Sequence, residues 1–198
     1  MNEAGFLTRL KESVERLFGP PTEPPKVEVR PVEQAGALYP RNWQEFIGQK
    51  DLVRLLQMEV GSAKATNRPL AHLLFYGPPG TGKTAAAHVL AAEMGAELYE
   101  STGPEFPDQV SAFGARDDIV QLHERTRKTV LWLIDEIDGM ARSATYALHG
   151  ILTHGYATWQ GQRLYERLPV SIIGTSNFLS GVPGALKSRM EPLQVSYY

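Results

Sequence analysis

Short apolar runs alternate along this chain with segments whose apolar residues recur every three or four positions. His72–Tyr76, Thr129–Ile134 and Val170–Asn177 are near-continuous apolar runs, the pattern of strands buried on both faces. Ala96–Ser101 and Leu193–Tyr197 are more mixed, and predict two further strands. Between them, helical spacing predicts helices from about Lys50 to Lys64, over Ala85–Met94, Asp117–Arg127, Ala144–His154 and Gly184–Met190. Asp117 and Asp118 fall in or before the first turn of their helix, where its dipole favours negative charge. Thr102–Arg116 reads as a loop, because Gly103, Pro104 and Pro107 crowd its start. Strands alternating with helices predict a three-layer α/β fold around a parallel sheet.

Two stretches lie outside that alternation. Residues 1–18 hold an amphipathic helix, with Phe6, Leu7, Leu10, Val14, Leu17 and Phe18 near one stripe. Residues 19–37 follow as a proline-rich linker, beginning Gly19-Pro20-Pro21 and stiff at that end. Such a helix either docks on a partner protein or folds back onto its own domain. The remaining residues, 38–198, form the predicted core. Within them Tyr156–Tyr165 predicts a protruding hairpin around Gln160-Gly161. Its neighbourhood, Trp159–Arg167, interleaves aromatic and basic residues that could stack on DNA, dock a protein, or cover the domain's own core.

The candidate chemistry begins directly after the first strand. Gly77-Pro78-Pro79-Gly80-Thr81-Gly82-Lys83-Thr84 matches the G-x-x-x-x-G-K-[ST] phosphate loop at every fixed position, between a predicted strand and a predicted helix. Glycines let the loop backbone bring its N–H groups close to phosphate oxygens, and the helix N-terminus adds partial positive charge. Lys83 is placed to reach the β- and γ-phosphates of ATP, and the Thr84 hydroxyl to coordinate Mg²⁺. Asp135 closes an apolar strand, as a metal-holding acid does, and Glu136 beside it is the candidate to polarise the attacking water. Asp138 reads as a solvated or loop-capping carboxylate. Asn177 ends the next strand, where its amide could orient water against the γ-phosphate.

Composition adds limits. A net charge of −2 gives no global basic field, so any claim to nucleic acid rests on local patches. The absence of cysteine excludes disulfides and thiolate metal sites. No long apolar span or leader is visible, so a soluble cytoplasmic protein without membrane contact is expected.

Together, the phosphate loop, Ile134-Asp135-Glu136-Ile137-Asp138 and Gly174-Thr175-Ser176-Asn177 resemble the AAA+ ATPases. More narrowly, His72–Gly77, Glu93-Met94-Gly95 and Ser101-Thr102-Gly103-Pro104 are similar to stretches of the ATPase domain of the RuvB Holliday-junction motors. Phe46-Ile47-Gly48-Gln49 resembles that family's adenine-side segment, which implies nucleotide contact at Ile47. Leu186-Lys187-Ser188-Arg189 is similar to the segment carrying its arginine finger, which implies that Arg189 acts on a neighbouring subunit's nucleotide, with Arg142 as the spare candidate. The resemblance covers about residues 38–198. It implies ATP hydrolysis in a ring-forming homo-oligomer coupled to DNA remodelling or branch migration. It also implies a helical lid and a winged helix, which have no counterpart in the residues up to Tyr198. That departure keeps open a nucleotide-holding accessory or assembly factor, or a clamp-loader-type subunit.

Overall fold

A computed structural model describes residues 39–66, 68–154, 158–159, 162–163 and 170–197. The predicted N-terminal helix, the proline-rich linker and most of the Trp159–Arg167 stretch lie outside the described residues.

The main sheet has five parallel strands: β1 (Leu73–Tyr76), β2 (Glu97–Thr102), β3 (Val130–Asp135), β6 (Val170–Ser176) and β7 (Glu191–Gln194). Their spatial order is β2-β3-β6-β1-β7, so β1 is flanked by two strands that come later in the chain. Two short strands, β4 (Thr158–Trp159) and β5 (Gln162–Arg163), pair antiparallel, as the hairpin reading expects.

Period-two alternation splits the strand residues between two cores. Leu73, Phe75, Leu131, Leu133 and Ile173 face the helices α1 (Lys50–Thr66) and α2 (Lys83–Met94). Leu74, Val130, Trp132, Ile134 and Ile172 face α3 (Gln109–Thr126) and α4 (Arg142–His154). The expected three layers follow. In α1, Leu52, Leu56, Val60 and Ala63 recur at helical spacing and are buried. Helix α2 is alanine-rich and buried over most of its surface, which lets it lie close against the sheet.

Trp132 anchors the second core. It is fully buried and stands edge-on to Tyr99 and Phe106, with ring centroids 6.2 and 5.9 Å away. Each such pair contributes about 0.5–1.5 kcal/mol beyond its buried area. Its indole N–H donates to Ser101 Oγ at 2.9 Å, so no buried polar atom is stranded there. Phe106 is therefore a core residue, and Phe113 packs half-buried against the same cluster.

Several element ends shift by one to three residues from the sequence reading, including the expected Gly184–Met190 helix, which closes at Lys187; the largest shift is at α3. Helix α3 starts at Gln109, eight residues before the expected Asp117, so much of the Thr102–Arg116 loop is helical. Asp108 is its N-cap, accepting the Ser111 N–H at 2.9 Å. Asp117 and Asp118 consequently lie in mid-helix, where Asp118 accepts the Tyr99 hydroxyl at 3.1 Å rather than meeting a helix dipole. Strand β7 begins at Glu191, two residues early, because its main chain pairs with β1 from Leu73 onward.

One titrating group sits inside this frame. His72 Nδ1 accepts the Ile172 N–H at 2.9 Å, so the ring is neutral in the native fold. Burial lowers its pKa from 6.5 to about 4. A depressed folded pKa means that the unfolded chain binds the extra proton. Stability is then complete above about pH 6.5 and falls as pH drops toward about 4. The loss from this residue is about 3 kcal/mol at most. His72→Asn keeps an acceptor but not the titration. Denaturant midpoints at pH 7.5 and 4.5 should therefore differ less in the variant than in the wild type.

Candidate functional site

Parallel strands put all their C-terminal ends on one edge of the sheet, and the phosphate loop leaves β1 there. Three of its glycines have positive φ: Gly77 (148°), Gly80 (75°) and Gly82 (93°). At Gly77 the requirement is doubled, since a Cβ would lie 1.9 Å from the Val195 carbonyl oxygen. The loop folds over its own lysine. Lys83 Nζ donates to Gly77 O at 2.7 Å, Pro78 O at 2.8 Å and Asn177 Oδ1 at 3.2 Å. Burial lowers the Lys83 pKa, and the charges of Asp135 and Asp138 oppose that shift. Thr81 is buried and donates to Pro78 O at 2.8 Å, bracing the bend around Pro79 and Gly80.

The acids arrive from β3, two strands away. Thr84 Oγ1 lies 3.1 and 3.0 Å from the two carboxylate oxygens of Asp135. Glu136 is exposed and left-handed (φ 52°, ψ 48°), which turns the chain out of the sheet immediately after Asp135. Asn177 follows β6, the strand between β3 and β1. The fold thus gathers Gly77–Thr84, Asp135, Glu136 and Asn177 on one edge, although they are far apart in sequence.

Ile47 reaches the same edge from before α1. Gly48 and Gln49 both have positive φ, and Gln49 Nε2 donates to Ser196 O, beyond the end of β7. Val195, its neighbour, is the residue that abuts Gly77. Ile47 is 81% exposed beside this junction, an apolar surface with no protein cover.

Arg189 is not part of the gathering. It precedes β7, whose first residue pairs with Leu73 at the start of β1, so it lies at the edge opposite the phosphate loop. Its Nε donates to Thr153 Oγ1 at 2.6 Å near the end of α4, and its Nη1 to Ala185 O and Ser188 Oγ. Arg142 is exposed in the first turn of α4.

The donor set suits a hard divalent cation. One hydroxyl and one carboxylate, already at hydrogen-bond distance, supply the few protein oxygens that Mg²⁺ takes when phosphates and waters complete its shell. Among the described residues no cluster of three or more His, Cys, Asp or Glu offers an all-protein metal cage. No described helix is long and apolar enough to cross a membrane.

Sequence reasoning passed over Thr175. Its hydroxyl donates to Asp135 Oδ1 at 2.5 Å and accepts the Glu136 N–H at 3.1 Å. A hydroxyl at the end of an apolar strand was the available signal.

Residues 38–154 match the family model of the Holliday junction DNA helicase RuvB P-loop domain. The chain is 43% identical over 104 residues to the Holliday junction branch migration complex subunit RuvB 1 of Synechococcus sp., covering 52% of this chain and 26% of that one. It is 34% identical over 137 residues to the RuvB subunit of Chloroflexus aurantiacus, covering 69% and 36%. A Thermotoga maritima RuvB mutant superposes with a TM-score of 0.68 at 25% identity, over 81% of this chain and 50% of that one. The chain thus spans half or less of the length of these relatives.

Proposed function

This chain belongs to the RuvB P-loop domain family, a branch of the AAA+ ATPases, and from that premise we propose that it binds and hydrolyses ATP in a cytoplasmic homo-oligomer. The observation that carries the reading is a pair of contacts made by adjacent residues: Lys83 donates to Asn177, and Thr84 donates to Asp135.

Each residue has a distinct task. Loop amides and the α2 N-terminus receive the triphosphate. The Lys83 ammonium, now satisfied by two loop carbonyls, exchanges them for phosphate oxygens of higher charge. Thr84 and Asp135 would hold Mg²⁺, which would supply positive charge to offset the negative charge that develops on the triphosphate. The Glu136 carboxylate stands free of the sheet and orients water toward the γ-phosphate. Asn177 must give its Oδ1 to Lys83, because an ammonium only donates. Its Nδ2 is then the group directed at the γ-phosphate or its attacking water. Ile47 covers the adenine.

Arg189 serves a neighbouring protomer. It lies across the sheet from its own loop, so it is unable to reach its own nucleotide. An arginine supplied in trans is worth roughly 10³-fold or more in turnover. Arg189→Ala should lower turnover by about that factor and leave ATP affinity unchanged. Mixing it with Lys83→Ala should restore activity, because one variant keeps the site and the other keeps the finger. Wild-type turnover in Arg189→Ala, at concentrations where the chain is oligomeric by light scattering, would remove the residue from this role.

The curated relatives are branch-migration subunits, and we extend that work to this chain: hydrolysis in a ring drives movement of branched DNA. The β4–β5 hairpin is a candidate contact for DNA, and residues 4–18 for a protein partner. ATPase rates with and without a four-way junction, measured alongside solution mass, test the reading. Turnover that is independent of both protein concentration and DNA would overturn the motor and leave a nucleotide-holding accessory subunit.

A further inference from the structure

We propose that Thr175 is a positioning residue for the acid pair: its hydroxyl aims the Asp135 carboxylate at Thr84 and fixes the backbone from which Glu136 projects. This rests on the ATPase reading above and deepens it.

The main-chain ladder between β3 and β6 ends at Ile134 and Gly174. One residue further along each strand, the Thr175 side chain takes over the cross-strand link. Its hydroxyl donates to Asp135 Oδ1 and accepts from the Glu136 N–H, so its donor and one acceptor site are both used. Thr175 is 2% exposed, which keeps water from replacing either bond. The carbonyl of Glu136 is held as well: it accepts the Gly139 N–H at 2.7 Å and lies so close to Gly103 that a Cβ there would come within 2.0 Å. The left-handed Glu136 is thus pinned at both ends, and Thr175 supplies the pin that also touches Asp135. Two residues on, Asn177 of the same chain segment holds Lys83. A single strand end therefore sets both the phosphate-binding cation and the acids.

A valine has nearly the same shape and makes neither bond. Binding of a fluorescent ATP analogue is titrated with Mg²⁺ and, separately, in EDTA, alongside steady-state turnover. Thr175→Val should keep its affinity in EDTA within about twofold, while the Mg²⁺ concentration for half-maximal binding rises about tenfold or more, as for other groups that orient a metal ligand. Turnover should fall by at least about tenfold at saturating ATP, with KM little changed. Thr175→Ser restores the hydroxyl and should restore both quantities. A wild-type Mg²⁺ requirement in Thr175→Val overturns the proposal, and so does equal impairment of Thr175→Ser, which would mark a packing role. Should thermal melting show that Thr175→Val does not fold, Thr175→Ala takes its place with the same expectations. If the wild-type chain binds no nucleotide under either condition, the ATPase reading itself fails, and that outcome is distinct from the others.

Discussion

Lys83→Ala should lower ATP affinity by about 100- to 1,000-fold, the largest binding effect expected of any single change in this protein. The side chain is 9% exposed and its ammonium sits among the loop carbonyls that phosphate oxygens would displace. Two charge-assisted hydrogen bonds at about 1.5–3 kcal/mol each account for a loss of that size. Fold stability should change little. Burying the ammonium disfavours its charged form, as its lowered pKa records, so the truncation removes a desolvated charge along with three hydrogen bonds. Calorimetric titration with a non-hydrolysable ATP analogue, beside a thermal melt, separates the two. Unchanged affinity in a folded variant would end the phosphate-loop assignment.

Glu136→Gln should have the opposite signature: nucleotide affinity kept, turnover lowered by about 10²- to 10⁴-fold. The side chain is exposed and makes no bond that shapes the loop. Its backbone is held by Thr175 and Gly139 whichever side chain it carries. An amide keeps the size of the carboxylate and loses its basicity, so only the orientation and polarisation of water should suffer. The check is a single-turnover assay with labelled ATP at protein in excess. Hydrolysis at the wild-type rate would show that Glu136 has no part in activating water. Together the two variants divide the site: one fails to bind, the other binds and stalls.

The parts of this site that were legible beforehand were contiguous. The phosphate loop carries its own evidence, because its glycines, lysine and threonine act through local backbone geometry. Asp135 and Asn177 were legible for a related reason: each ends an apolar run, and parallel strands deliver their ends to one edge. Helix α3 was misread where two local signals conflicted. Gly103, Pro104 and Pro107 argued for a loop, while Asp108 was already an N-cap with Ser111 in reach. Packing of Ala112, Ala115, Ile119 and Leu122 against Trp132 and its neighbours decided in favour of the helix.

By itself the sequence determined the strand–loop–helix unit at Gly77–Thr84, the alternation that builds a three-layer sheet, and the acids that end β3. Those follow from properties of neighbouring residues: φ freedom, periodicity and charge. Tertiary structure alone decided that β6 lies between β3 and β1, that Thr175 bonds the acid pair, that Val195 leaves room only for glycine at position 77, and that Arg189 faces away from its own loop. The physical reason is the same in each case. Strand order and register arise from the joint burial of side chains far apart in the chain, and no local pattern carries that information.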